Sequence, residues 1–91
     1  MDPFTAVADP ARRQVMSVLA RGDLNAGEIA ALFSISRPAV SRHLRLLREA
    51  GLVRSELVGR RRIYRLDVDG LAPVTSWLTS LISSPAPGSS G

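Results

Sequence analysis

Only three residues, Ser34 to Ser36, separate two segments that both carry helical apolar spacing, and this short connection constrains the fold more than any other feature. Before it runs "LNAGEIAALF". Asn25 and Glu28 stand at capping-box spacing, and Ile29, Leu32 and Phe33 supply an apolar face. After it runs "RPAVSRHLRLLREAG". Ser36 suits the N-cap and Pro38 is tolerated in the first turn. Val40, Leu44 and Leu47 form one stripe at i, i+4 and i+7, and Gly51 supplies a left-handed stop. Two helices joined this tightly, the second one basic, carry the signature of a helix-turn-helix.

Past Gly51 the apolar period changes from 3.6 to 2. "LVRSELV" and "RRIYRLD" read as two strands around a Gly59-Arg60 turn, although Gly-Arg is a weaker turn signal than Asn-Gly. Tyr64 alternates with Arg62 and Leu66, which predicts a half-buried ring whose hydroxyl is within reach of a phosphate.

Upstream, Phe4, Val7 and Ala8 predict a brief helix. Asp9-Pro10 opens another, with Ala11, Val15, Val18 and Leu19 on one face and Gly22 as its stop. Downstream, "VDGLAPVTSWLTSLISS" predicts a last helix capped by Asp67 or Asp69. Leu71, Val74, Leu78 and Leu81 form its stripe, with Trp77 and Ile82 beside it. Pro73 requires either a late start or a kink. The expected fold is mainly α with a small β-hairpin, a winged helix-turn-helix of order α-α-α-α-β-β-α. One domain spans 1–83, and 84–91 form a disordered Ser/Gly/Pro tail.

Charge is unevenly placed. The chain has 91 residues and a formal charge of +4, but Arg37 to Arg65 hold nine arginines against Glu49 and Glu56, a balance of +7. The rest hold three arginines and six acids, a balance of −3. All twelve basic residues are arginine. A guanidinium donates two parallel hydrogen bonds to phosphate or guanine, which an ammonium does not match; a codon bias would give the same composition. On a helix of about 100° per residue, Ser41, Arg45 and Arg48 lie about 60° or more from the centre of the apolar stripe. Arg42 and Glu49 lie nearly opposite it.

Other chemistry is poorly supplied. There is no cysteine, so disulfides, thiolate metal sites and thiol redox switches are absent. His43 is the sole histidine and borders the apolar stripe, which favours a structural role over ligation. No paired acids, nucleophile–base arrangement or phosphate loop is visible, and an enzyme is not expected. The N-terminus "MDPFTAVADPARR" lacks a basic-then-apolar start, and no apolar run nears the roughly 18 residues of a membrane span, so a cytoplasmic protein is expected.

A major groove of about 12 Å admits one helix, and the N-terminal half of that helix enters deepest. Double-stranded DNA is therefore the expected partner. Arg37, Ser41, Arg42 and Arg45 would read bases, Arg60, Arg61 and Arg62 would anchor phosphates from the hairpin, and Ser36 would help at the helix N-terminus. The alternative is a protein-binding winged helix whose basic face meets an acidic partner. Such an interface would interleave apolar or aromatic residues among the arginines, and the outer face of Arg37 to Glu49 shows none.

In combination, Ala8-Asp9-Pro10 with Arg12-Arg13, Glu28-Ile29-Ala30, Val40-Ser41-Arg42-His43-Leu44, Leu47-Arg48-Glu49-Ala50-Gly51-Leu52-Val53, and Gly59-Arg60-Arg61 before Tyr64-Arg65-Leu66 resemble the arsenic-repressor (ArsR) family of bacterial winged-helix regulators, over about Phe4 to Leu81. The resemblance implies a homodimer in which first and last helices pair across a two-fold axis. It also implies a repressor acting on a near-palindromic operator. Phe4, Val7, Leu71, Val74, Trp77, Leu78 and Leu81 are the matching apolar residues. The resemblance implies that metal-sensing members carry cysteines near the second helix of the motif, where this chain has "LNAGEIA" with Asn25 and Gly27, or His and acids on the last helix, where it offers only Asp67 and Asp69. No metal and no cofactor are expected. The effector would be an unknown small molecule or protein, or there would be none.

Overall fold

The computed structural model describes residues 1–83; the expected tail at 84–91 lies outside the described residues. The order is α1 (Pro3–Ala8), α2 (Pro10–Leu19), α3 (Ala26–Phe33), α4 (Arg37–Glu49), β1 (Val53–Val58), β2 (Arg61–Leu66), a 3₁₀ turn (Val68–Leu71) and α5 (Ala72–Ser83).

Local chemistry sets most boundaries. Asp2 and Asp9 accept the backbone N–H groups of Thr5 and Arg12, each at 2.9 Å, and a proline follows each cap. Asn25 and Glu28 complete the capping box, at 2.8 and 2.9 Å. Helix α4 ends at Gly51, whose φ is +78°. The Gly51 N–H reaches the Arg48 carbonyl at 3.0 Å and the Leu52 N–H reaches that of Leu47 at 2.9 Å, the pairing of a Schellman motif.

Three expectations are corrected. Gly22 is not the stop of α2. That helix ends at Leu19, the chain already bends at Ala20 and Arg21, and Gly22 keeps a negative φ region open to any residue. Leu32 is exposed, because the buried side of α3 runs through Ala26 and Ile29, with Ala30 and Phe33 packed beside them. Neither Asp67 nor Asp69 caps α5. Asp67 precedes the 3₁₀ turn without a side-chain cap bond, and the helix starts late, with Pro73 in its first turn.

The core sits where α2, α3, α4 and the hairpin base meet. Ile29, Val40, Leu44, Leu47 and Leu52 are fully buried, with Val15 and Leu19 beside them. Each such side chain contributes about 1.5–3 kcal/mol by leaving water. β1 and β2 pair antiparallel, from Val53 opposite Leu66 to Val58 opposite Arg61. Gly59 takes φ +62° and Arg60 does not take positive φ, as a type II′ turn requires. A two-stranded hairpin is marginal alone. Here Leu24 pairs with Tyr64 as a third partner, through N–H to carbonyl bonds of 3.1 and 2.8 Å. Tyr64 is half-buried, as expected.

Arg12 and Arg13 serve the fold. Arg12 donates to the carbonyls of Ala6 and Thr5, at 2.8 and 3.2 Å. Arg13 donates to those of Val7 and Ala8, at 2.8 and 3.1 Å. The last four carbonyls of α1 lack helical partners, and these two guanidiniums satisfy all four. Asp9 sits at the same corner. Its carboxyl is held below the ordinary range chiefly by the Arg12 backbone N–H; burial opposes this, and the neighbouring Arg12 guanidinium lowers it a little further.

Candidate nucleic-acid interface

The turn Ser34–Ser36 presents α4 outward. Ser34 takes the left-handed conformation at φ +52°, and the Ile35 N–H closes on the Ala30 carbonyl at 3.3 Å. Ser36 then caps α4 by accepting the Ala39 N–H at 3.2 Å. Its hydroxyl proton stays available to donate. Val40, Leu44 and Leu47 face the core, so Arg37, Ser41, Arg42, Arg45, Arg48 and Glu49 are all exposed.

The eight residues expected at the interface divide among three clefts and the helix cap. Arg37 and Ser41 share a cleft of about 390 Å³ with Arg60, Arg61, Arg62 and Tyr64 of the hairpin, floored by Asn25 and Ala26. The start of α4 and the far end of the hairpin thus form one basic surface. Arg45 lines a second cleft, of about 560 Å³, with Arg48, Glu49, Val53, Arg54 and Ser55. Arg42 lies apart, in a cleft of about 350 Å³ with Asp9, Arg12, Ala39, His43 and Leu46. Ser36 stands at the cap.

Of the three hairpin arginines expected at the interface, two are engaged. Arg61 meets the Glu28 carboxylate at 3.4 Å, on the oxygen that also accepts the Asn25 N–H, and Arg62 donates to the Ser55 hydroxyl at 3.1 Å. The Arg61–Glu28 pair is half-exposed on both sides. Such a pair is worth about 0–1 kcal/mol, so it holds Arg61 only weakly. Arg65 is bound on both sides, to Glu56 at 3.0 Å and Asp23 at 3.4 Å, while its buried Nε has no partner. Among the described residues, Arg37, Arg42, Arg45 and Arg60 have neither hydrogen bond nor ion pair.

His43 is half-buried, and its buried Nδ1 has no partner. It therefore borders the apolar stripe, as read from the spacing. Among the described residues no three His, Cys, Asp or Glu side chains stand together as a metal site, and no helix is long and apolar enough to cross a membrane.

Helices α1 and α5 leave apolar side chains uncovered. No residue of α5 is buried. Trp77, Leu78 and Leu81 are exposed, Val7, Leu71 and Val74 are half-buried, and Phe4 packs edge-to-face on Trp77 at 5.8 Å between ring centroids.

Comparison with known proteins agrees with this geometry. The family described as "Bacterial regulatory protein, arsR family" matches residues 9–55, from the cap of α2 into β1. The transcriptional repressor SdpR of Bacillus subtilis is 35% identical over 80 residues, covering 88% of this chain and 89% of that protein. The HTH-type transcriptional regulator Rv2034 of Mycobacterium tuberculosis is 49% identical over 69 residues. That match covers 76% of this chain and 64% of Rv2034, so the chain spans under two thirds of that relative. A crystal structure of a possible transcriptional regulator for arsenical resistance superposes with a TM-score of 0.81 at 42% identity, over 89% of this chain and 84% of that one. The chain belongs to the arsR family of bacterial regulatory proteins, and is a DNA-binding winged helix-turn-helix transcriptional regulator rather than an enzyme.

Proposed function

We propose that the chain is a transcriptional repressor acting as a homodimer on a near-palindromic operator, without a metal effector, in the cytoplasm. The observation that carries this reading is the set of unpaired arginines on α4 and the hairpin tip, together with an uncovered apolar face on α1 and α5. Arg37, Ser41, Arg42 and Arg45 are the proposed base readers, with Arg37 and Ser41 in the half of α4 that enters a groove deepest. Arg60, Arg61 and Arg62 are the proposed phosphate anchors, and Ser36 adds a donor at the helix N-terminus.

Phe4, Val7, Leu71, Val74, Trp77, Leu78 and Leu81 are the proposed interface with a second copy. An isologous contact there gives the assembly a two-fold axis, and the operator mirrors it with half-sites about one helical turn apart. The non-metal reading is supported by the absence of cysteine and by a single histidine. The domain is taken as residues 1–83.

Binding to DNA from the protein's own upstream region, titrated against salt and random DNA, tests the reading. Tight binding over a near-palindromic footprint, unchanged by zinc or arsenite, is expected. Arg42→Ala is expected to lose about 1–3 kcal/mol on the preferred sequence and to relax specificity at one base. Unchanged affinity in that variant removes Arg42 from the readers, and binding indifferent to sequence overturns the operator reading.

A further inference from the structure

We propose that Arg48 and Arg54 form a phosphate seat for the DNA backbone at the C-terminal half of α4, adjoining the base reader Arg45 and separate from the hairpin tip. The proposal rests on the DNA-binding assignment and extends it to two residues that had no role in it.

The cleft of about 560 Å³ is walled by Arg45, Arg48 and Glu49 on one side and by Val53, Arg54 and Ser55 on the other. Three guanidiniums from two elements therefore border one concavity. None of them has a hydrogen-bond or ion-pair partner among the described residues. Arg12, Arg13, Arg61, Arg62 and Arg65 all do.

The fold does not account for this charge. Arg54 stands directly opposite Arg65 across the hairpin. Like charges in that relation are destabilising. Arg65 is neutralised by Glu56 and Asp23, and Arg54 is not. Arg45 and Arg48 are i, i+3 neighbours on one helix, again unfavourable for like charges. Glu49 lines the same cleft yet forms no ion pair within 4.0 Å. The free protein thus holds three charges together at a small cost, and an anion removes that cost.

Position selects the anion. On α4, Arg48 falls within about 20° of Arg37 in angle and about 16 Å farther along the axis. The N-terminal half of a recognition helix goes deepest, so its C-terminal half lies at the rim of the groove, where the phosphates are. A phosphodiester there accepts the forks of Arg48 and Arg54 together, and it carries no sequence information.

The test uses the full-length protein and a random-sequence duplex, with affinity followed by fluorescence anisotropy between about 50 and 200 mM salt. Arg48→Ala and Arg54→Ala are each expected to lower the slope of log K against log salt by about 0.9 per protomer. Arg48→Lys is expected to keep the slope, and Glu49→Gln to tighten binding to every duplex. Melting curves identify a variant that fails to fold, and Glu49→Gln and Arg48→Lys, at exposed positions, decide the matter in that case. A steep wild-type slope left unchanged by both alanine variants overturns the seat and leaves DNA binding intact. A flat wild-type slope overturns both.

Discussion

Gly70 is where the last helix is fastened to the rest of the domain, and replacing it with alanine tests that fastening. A Cβ there would stand 1.8 Å from the Gly51 carbonyl oxygen, 2.8 Å from the Gly51 carbonyl carbon and 3.4 Å from the Leu52 nitrogen. Ordinary contact requires about 3.5 Å, so something must move by more than about 1.5 Å. The obstacle is backbone tied on both sides. Gly51 and Leu52 donate back into α4 at 3.0 and 2.9 Å, and the Leu52 carbonyl accepts the Asp67 N–H at 2.9 Å.

Overpacking costs about 1–3 kcal/mol, and losing the Asp67 bond adds about 1 kcal/mol, giving about 2–4 kcal/mol. In a domain of this size that lowers the melting temperature by at least about 8 °C. Two other glycines calibrate the result. Gly51→Ala meets nothing within 4 Å but keeps φ +78°, a cost of about 1–2 kcal/mol. Gly22→Ala meets nothing within 4 Å and has no positive φ, so it is neutral or stabilising by up to about 1 kcal/mol. Circular dichroism melts at one protein concentration give the order, and Trp77 fluorescence reports separately on α5. Gly70→Ala melting at or above Gly51→Ala, with Trp77 unchanged, would refute the close approach.

Other outcomes follow from the same geometry. Leu81→Asp, at a position 57% exposed, is expected to leave the fold intact and halve the mass in sedimentation equilibrium; a dimer of unchanged affinity removes α5 from the interface. Ser34→Gly relieves a left-handed serine and should raise stability by about 0.5–1 kcal/mol, read by urea denaturation. Asp9→Ala removes an N-cap, a loss of about 1 kcal/mol at neutral pH. Because the Asp9 carboxyl is depressed by the Arg12 N–H, its stabilisation is present above the ordinary carboxylate range and is lost as the pH falls through its lowered value. The variant should therefore lose less stability than the wild type in acid titration, and parallel curves would count against the cap.

What was legible in the sequence was local. The Asn25–Glu28 box, the i, i+4, i+7 stripe of α4 and the Gly51 stop each depend on residues within one or two turns, and each stands where the spacing puts it. Leu32 was misread because an apolar residue at the margin of a stripe faces inward or outward according to the neighbouring helix. Gly22 was misread because a turn formed two residues before the glycine was needed. The work of Arg12 and Arg13 was invisible, since it depends on how α1 lies against α2, six or so residues back. For the candidate interface, the angular position of Arg48 was readable from α4 alone. Its convergence with Arg54 was not, because the path of β1 away from the helix is set by tertiary packing.

The hairpin is fastened unevenly, and this fixes how it moves. Its base is held by the buried Val53, by the two Leu24–Tyr64 bonds and by the double engagement of Arg65. Towards the tip, Leu57 and Val58 are 62% and 52% exposed, and Arg60 has no partner among the described residues. Amide exchange should divide the two strands accordingly. The Tyr64 amide opens only with much of the domain, and the amides around Gly59 and Arg60 exchange through local fraying. Turn residues of this kind reorient in nanoseconds to microseconds. On the proposed DNA-binding reading, contact with a phosphate is expected to order only the three or four residues of the tip, with α4 at a fixed angle to the hairpin base.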